Sequence, residues 1–189
     1  MTAPTGAMPV GPLRIDRGAI VAGYVGLGMA ATIAVSFLLV IPIEPIYWLL
    51  APMAGLLIGY YANQRSWVPR RAWRRTLRNA AYAGVVTGLT LSLLLLGVKA
   101  LFFYADNGFR DGSLGKPLAC SSGADCVYAR YLADRRGPQL VAAGITDAAS
   151  FGAFYWRQQF TTAGLLLGLT VAGGVLGGVV YGFTRPRES

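Results

Sequence analysis

The sequence has no histidine, only eight acidic residues and only two cysteines in 189 positions. Without histidine, it lacks the commonest metal ligand and the usual proton shuttle near neutral pH. A serine or cysteine triad would have no usual base for the same reason. There is also no P-loop and no dinucleotide-binding glycine fingerprint. We therefore expect no metal, no cofactor and a function other than catalysis.

Charged residues are scarce as well. They make up 13% of the chain, about half their usual share in a soluble domain. Hydrophobic residues make up 54%, and the mean hydropathy is +0.49. This composition predicts an all-α integral membrane protein with one membrane domain.

Four apolar stretches can each cross about 30 Å of hydrocarbon, which takes roughly 20 helical residues. They are residues 19–41, 46–62, 80–104 and 160–183. The second is short, and Pro52 is expected to kink it. The sequence thus predicts a four-transmembrane-helix bundle over residues 19–184. Residues 1–18 form a disordered cytoplasmic segment in this interpretation, and residues 185–189 form a cytoplasmic tail.

The orientation follows from the stretch SWVPRRAWRRTLRN, residues 66–79. It holds five of the fifteen arginines and no acidic residue. Positive residues in short loops stay on the cytoplasmic side. Both termini are then cytoplasmic. The long loop 105–159, with six basic and five acidic residues, is extracytoplasmic.

The arginine-rich stretch also predicts contact with anionic lipids of the cytoplasmic leaflet, worth about 1 kcal/mol per arginine near the surface. The arginines concerned are Arg65, Arg70, Arg71, Arg74, Arg75 and Arg78. A specific protein or lipid partner is the alternative. Nucleic acid is not expected, because no recognisable binding module surrounds the run.

Glycines recur at intervals of four in the membrane segments, which lets helices approach closely. They are Gly164, Gly168, Gly173, Gly174, Gly177, Gly178 and Gly182 in the fourth span, Gly55 and Gly59 in the second, and Gly84 and Gly88 in the third. At 100° per residue, Gly164, Gly168, Gly178 and Gly182 share one side of the fourth span, and Gly173 and Gly177 lie opposite. One side could serve the bundle and the other a second copy or a partner subunit.

Lys99 is the clearest ionisable residue within a span, so it is a functional candidate. It either extends its stem to the membrane interface or pairs with Glu44 in the turn between the first two spans. Such a pair would connect the first hairpin to the third helix.

The outer loop contains ACSSGADC, in which Cys120 and Cys126 are the only cysteines. On the oxidising side of a membrane these two residues predict a disulfide, worth about 2 kcal/mol in the loop-entropy model. A redox-active pair would need closer spacing. Short interfacial helices are expected in this loop, with Asp125 and Asp147 as caps. The aromatic residues 151–156 are expected to form a belt at the outer interface or a docking surface.

Three functions remain compatible with the sequence. The first is a non-catalytic structural or accessory membrane subunit that packs through its glycines and its outer loop. The second is a small oligomeric channel or transporter lined by residues such as Thr87, Ser92 and Thr162. The third is a membrane enzyme acting on lipid, although no cluster of carboxylates supports it. The sequence assigns the chain to no family.

Overall fold

The computed structural model describes residues 15–36, 46–69, 72–105 and 120–184. Over these ranges the chain is helical and contains no strand, as the sequence predicts. The helices are α1 Arg17–Ala34, α2 Ile46–Arg65, α3 Trp73–Ala105, α4 Ala124–Ala133, α5 Gly137–Ala142 and α6 Ala148–Thr184.

Three of these helices are long and apolar enough to cross a membrane, namely α1 with 18 residues, α3 with 33 and α6 with 37. A helix rises about 1.5 Å per residue, so α3 and α6 extend about 50 and 55 Å. Both are longer than the hydrocarbon layer of roughly 30 Å. Since a helix pairs its own backbone polar groups, it is suited to that layer. The three helices indicate a membrane protein.

The second predicted span is also helical, but α2 is not among the three candidate membrane helices. It has 20 residues, continues through Pro52 and ends in the polar sequence ANQR. A count of four spans therefore stays a prediction, although α2 packs against α1, α3 and α6. The turn before α2, with Glu44, lies outside the described residues.

Two helices begin earlier than the sequence predicts. α3 starts at Trp73 rather than at residue 80, so Arg74, Arg75 and Arg78 lie on its first turns instead of in a loop. α6 starts at Ala148 rather than at residue 160. Arginine is a good helix former, and no proline interrupts either extension, so both helices continue past the apolar spans.

The helices alternate in direction, so their ends gather in two groups. The start of α1, the end of α2, the start of α3 and the end of α6 meet at what we call the arginine end. There Asp16 binds Arg75, and the rings of Trp73 and Phe183 are 5.4 Å apart. At the opposite, disulfide end, α4 lies against the first part of α6. This end carries the Cys120–Cys126 bridge.

Helix α6 lies directly against the backbone of α2. A Cβ atom added to Gly173 or Gly177 would overlap the carbonyl oxygens of Pro52 and Leu56, respectively. On the facing side, a Cβ on Gly59 would overlap the backbone of Gly174. A Cβ on Gly55 would likewise overlap the carbonyl oxygen of Thr170. Only glycine allows this approach, because any side chain would have to displace main-chain atoms of the partner helix.

Other glycines of α6 face α3. A Cβ on Gly174 would lie 2.9 Å from the carbonyl oxygen of Ala80 and 3.1 Å from the Cα of Gly84. One on Gly178 would lie 2.7 Å from the Cβ of Ala80. Nearer the disulfide end, a Cβ added to Gly88 of α3 would contact Thr170. At the arginine end, a Cβ added to Gly182 would contact the ring of Trp73.

Gly164 and Gly168 differ from the other glycines of α6, because a Cβ on either would meet nothing within 4 Å. Together with the exposed Ala172 they form an uncovered line at intervals of four, which we call the open small-residue stripe. Gly178 and Gly182 are buried, although an ideal helix puts them on the same side as Gly164. Packed helices cross at an angle, so a straight line of residues leaves the interface after a few turns.

We expect Gly177→Ala to destabilise the bundle and Gly168→Ala to leave it unchanged or slightly more stable. Both substitutions change helix propensity equally, so the comparison isolates the clash with Leu56. Overpacking typically costs about 1–3 kcal/mol, which should lower the Tm of Gly177→Ala by several degrees. Thermal unfolding of the purified protein in mild detergent measures this difference. Equal Tm values for the two variants would refute the close α2–α6 contact.

Candidate ligand-binding site at the disulfide end

The disulfide end is covered by an aromatic cap, which we define as the cluster of Phe103, Leu140, Ile145, Phe151 and Tyr155. Phe151 is fully buried and Tyr155 is 6% exposed. Both were expected to lie in an interfacial aromatic belt, and they pack inward instead. They do so because α6 continues through this segment and brings its first turns against α4.

Two local features hold the cap together. Cys120 and Cys126 form the predicted disulfide, with Cα atoms 5.3 Å apart, and Cys126 is 1% exposed on α4. The Oδ1 atom of Asp147 accepts a hydrogen bond of 2.7 Å from the backbone N–H of Ser150, so Asp147 caps α6 as expected. α4 is capped by Gly123 rather than by Asp125, which lies in its first turn.

A cavity of about 220 Å³ lies at the disulfide end, between residues of α2, α3, α4 and α6. Leu95 of α3 and Leu166 of α6 belong to the apolar core and form the inner part of its wall. One helical turn further towards the cap, Lys99 and Thr162 follow on the same faces. The remaining lining residues are Trp48, Tyr131, Arg136, Gln158 and Gln159.

The polar groups of this cavity are mainly hydrogen-bond donors. Lys99 and Arg136 each contribute a positive charge, and none of the described residues that line the cavity carries a carboxylate. Gln159 is only 7% exposed. No hydrogen bond joins its amide to another of the described residues. The guanidinium of Arg136 lies 5.1 Å from the centre of the Tyr131 ring, which orients it from one side.

Sequence reasoning found part of this site. Lys99 and Thr162 were both candidates, the first as an intramembrane charge and the second as a pore residue. The expected pair of Lys99 with Glu44 involves a residue outside the described ranges. Arg136 and Gln159 were missed. The available signal was the polar pair Gln158–Gln159 placed three and four residues before Thr162 in an otherwise apolar run.

The hydroxyl groups deeper in the bundle do not extend the cavity. Thr87, Thr90 and Thr170 each donate to the carbonyl oxygen four residues earlier in their own helix. Ser92 donates across helices to the carbonyl oxygen of Ala163, at 2.8 Å. Each hydroxyl thereby has a partner inside the protein, and none needs water.

The arginine end has its own polar cluster. Asp16 precedes α1, and its side chain reaches α3, where it accepts 2.6 Å hydrogen bonds from Arg75 and Asn79. Burial raises the pKa of Asp16, but these hydrogen bonds and the charges of Arg75 and Arg78 outweigh it, so the pKa is lowered. Within the described residues, Asn63 Oδ1, Asn79 Oδ1 and Arg78 Nε are buried without a hydrogen-bond partner.

The predicted lipid-contacting arginines therefore differ from one another. Arg65 and Arg74 are exposed. Arg75 is joined to Asp16, and Arg78 is partly buried. Arg70 and Arg71 lie outside the described residues.

In the described ranges, no group of three or more cysteine or acidic side chains is arranged to hold a metal ion. The chain matches no protein-family model, no curated protein and no solved structure. Its function is therefore argued from its own residues.

Asp16→Asn should lower the stability of the protein at pH 7 by about 1 kcal/mol, since Arg75 is partly exposed and the pair is screened by solvent. Because the folded pKa lies below the unfolded value, the carboxylate stabilises the fold above about pH 4. This contribution is lost as the pH falls through the lowered pKa. Tm values of parent and variant should thus differ at pH 7 and converge in acid.

Asp134→Asn is the matched control, because Asp134 is an exposed residue at the end of α4. It should leave the Tm unchanged at pH 7. A constant gap between parent and Asp16→Asn from pH 7 to pH 3 would show that the charge of Asp16 is not responsible.

Proposed function

We propose that the chain is a non-catalytic integral membrane protein that acts as a structural or accessory subunit. Glycine contacts hold its helices together, and the open small-residue stripe on α6 receives a helix of another subunit. The observation that carries this proposal is the difference among the α6 glycines. Gly173 and Gly177 are occupied by α2, whereas Gly164 and Gly168 are uncovered.

The uncovered glycines lie in a setting that suits a helix partner. Phe160, Leu165 and Leu176 flank the stripe and are each more than half exposed. In lipid, exposed apolar side chains need no protein to cover them, so their exposure alone does not indicate a contact surface. However, small residues at intervals of four permit close helix approach, which drives association where no hydrophobic force acts between helices. We propose a protein partner or a second copy at this surface.

The proposed orientation puts the arginine end in the cytoplasm and the aromatic cap outside. Arginines in short connections between spans are retained on the cytoplasmic side. A disulfide such as Cys120–Cys126 is typical of the oxidising side. This arrangement needs α2 as a fourth span, because α1 and α3 both start at the arginine end.

A small oligomeric channel or transporter is the second candidate, and the cavity at the disulfide end favours it. The hydroxyls below that cavity argue against a path through a single bundle, because Thr87 and Thr170 are bonded within their own helices. A pore would then have to lie between copies. A symmetric homo-oligomer would support this candidate, and a complex with a different protein would support an accessory subunit.

Gly168→Ile tests the partner surface. A Cβ atom at this position would have no other atom within 4 Å, so the fold and the Tm should stay intact. Its side chain would keep another helix at a distance, and the complex should dissociate to the 20.1 kDa chain. Light scattering after gel filtration in mild detergent measures the mass, and separately tagged copies distinguish self-association from a different partner.

Gly97→Ile is the matched control. Gly97 is likewise open, but the residues four positions away on either side are Leu93 and Leu101, so it belongs to no small-residue stripe. It should leave the complex unchanged. If both variants keep the mass of the parent, the open stripe is not the contact surface.

Arg65 and Arg74 are expected to bind anionic lipid. Replacing both by glutamine should weaken binding to membranes of phosphatidylglycerol by up to about 30-fold, at about 1 kcal/mol per arginine. The comparison is Arg130→Gln with Arg157→Gln, which removes two arginines from the disulfide end. Retention of defined lipids, measured by native mass spectrometry, reports the effect. An equal loss in both double variants would exclude the arginine end as the lipid site.

A further inference from the structure

We propose that the cavity at the disulfide end binds an oxyanion, the phosphate or carboxylate group of a ligand that also carries an apolar portion. This inference concerns a different surface from the open small-residue stripe and does not depend on it.

The positive charge of the cavity favours a negatively charged ligand. Lys99 and Arg136 come from different elements, α3 and the turn before α5, and the fold brings both to one space. Among the described residues, no acidic side chain lines that space. Arg136 is exposed and Lys99 is partly buried, and two positive charges that face one space attract an anion. Guanidinium and ammonium groups are the usual partners of phosphate and carboxylate.

The neutral polar groups suit the same ligand. Gln159 is 7% exposed, and no hydrogen bond joins its amide to another of the described residues. It lines the cavity next to Thr162. The amide N–H and the hydroxyl can both donate to an anionic oxygen in the cavity.

The shape of the cavity limits the size of the ligand and calls for an apolar portion. About 220 Å³ accommodates a phosphate or carboxylate group with several attached carbon atoms. Leu95 and Leu166 supply apolar surface at the inner side, where a hydrated inorganic ion would gain nothing. Trp48 is 43% exposed at the start of α2, and Gln158 is exposed as well, so the cavity opens to the exterior between α2 and α6.

Two sources can supply this chemistry, an anionic lipid headgroup and a free oxyanion. Titration calorimetry of the full-length protein in a neutral maltoside detergent separates them. The probes are short-chain phosphatidylglycerol, phosphatidylcholine of the same chain length, and inorganic phosphate. We expect phosphatidylglycerol to bind at least tenfold more tightly than phosphatidylcholine. Tighter binding of phosphatidylglycerol than of phosphate identifies the lipid as the source. Equal binding identifies a free oxyanion and would overturn the apolar portion of the proposed ligand.

Arg136→Gln should weaken binding of the anionic probe about tenfold. Arg157→Gln is the control, since Arg157 is exposed on α6 at the same end but does not line the cavity. It should bind like the parent. Both variants are first checked by thermal unfolding without ligand. If Arg136→Gln is unstable, Lys99→Gln takes its place with the same expected loss.

Three results would overturn the proposal. The first is equal affinity for phosphatidylglycerol and phosphatidylcholine, which would mean that the cavity does not distinguish ligands by their charge. The second is equal losses in Arg136→Gln and Arg157→Gln, which would indicate diffuse surface attraction. The third is parental affinity in a folded cavity variant.

Discussion

The carbonyl oxygens of Pro52 and Leu56 lie where Cβ atoms on Gly173 and Gly177 would be. This contact between the backbones of α2 and α6 fixes the position of the longest helix, and the rest of the bundle depends on it. With α6 held at this distance, Gly174 and Gly178 face α3 on its other side. In a membrane no hydrophobic force brings helices together, so the dispersion contacts of such close surfaces have to stabilise the fold.

The same packing explains how the bundle tolerates its polar residues. Asn63, Thr87 and Thr170 are almost fully buried. Asn63 and the two threonines donate to carbonyl oxygens four residues earlier, so a polar side chain adds no unpaired donor. Towards the disulfide end this pattern stops at Gln159, which is 7% exposed and lines a cavity. At this turn of α6 the close packing of the helices gives way to the cavity.

The two ends of the molecule use charge differently. At the arginine end, Asp16 neutralises part of a positive cluster and joins the segment before α1 to α3. At the disulfide end, Lys99 and Arg136 line a cavity whose wall, in the part of the chain that the structure describes, holds no carboxylate. The disulfide joins the chain before α4 to that helix. Tyr131 of α4 packs against the aromatic cap, and its ring contacts the guanidinium of Arg136.

The sequence by itself determined the membrane class, the helical content and the disulfide. These follow from local properties, since hydropathy is a sum over neighbouring residues and a short cysteine spacing brings two thiols together in any fold. It located most helices but placed the starts of α3 and α6 too late along the chain, because arginines and aromatic residues were assigned to loops and interfaces. Nothing in their local propensity opposes a helix.

Only the tertiary structure decided which glycines touch a neighbour and which remain open. Helical periodicity gives the angular position of Gly168 around the axis of α6, but not the angles at which α6 crosses α2 and α3. Arg136 and Gln159 join Lys99 at one cavity for the same reason. They lie on three separate elements, and their meeting depends on how the helices are rotated and displaced relative to one another, which no single segment encodes.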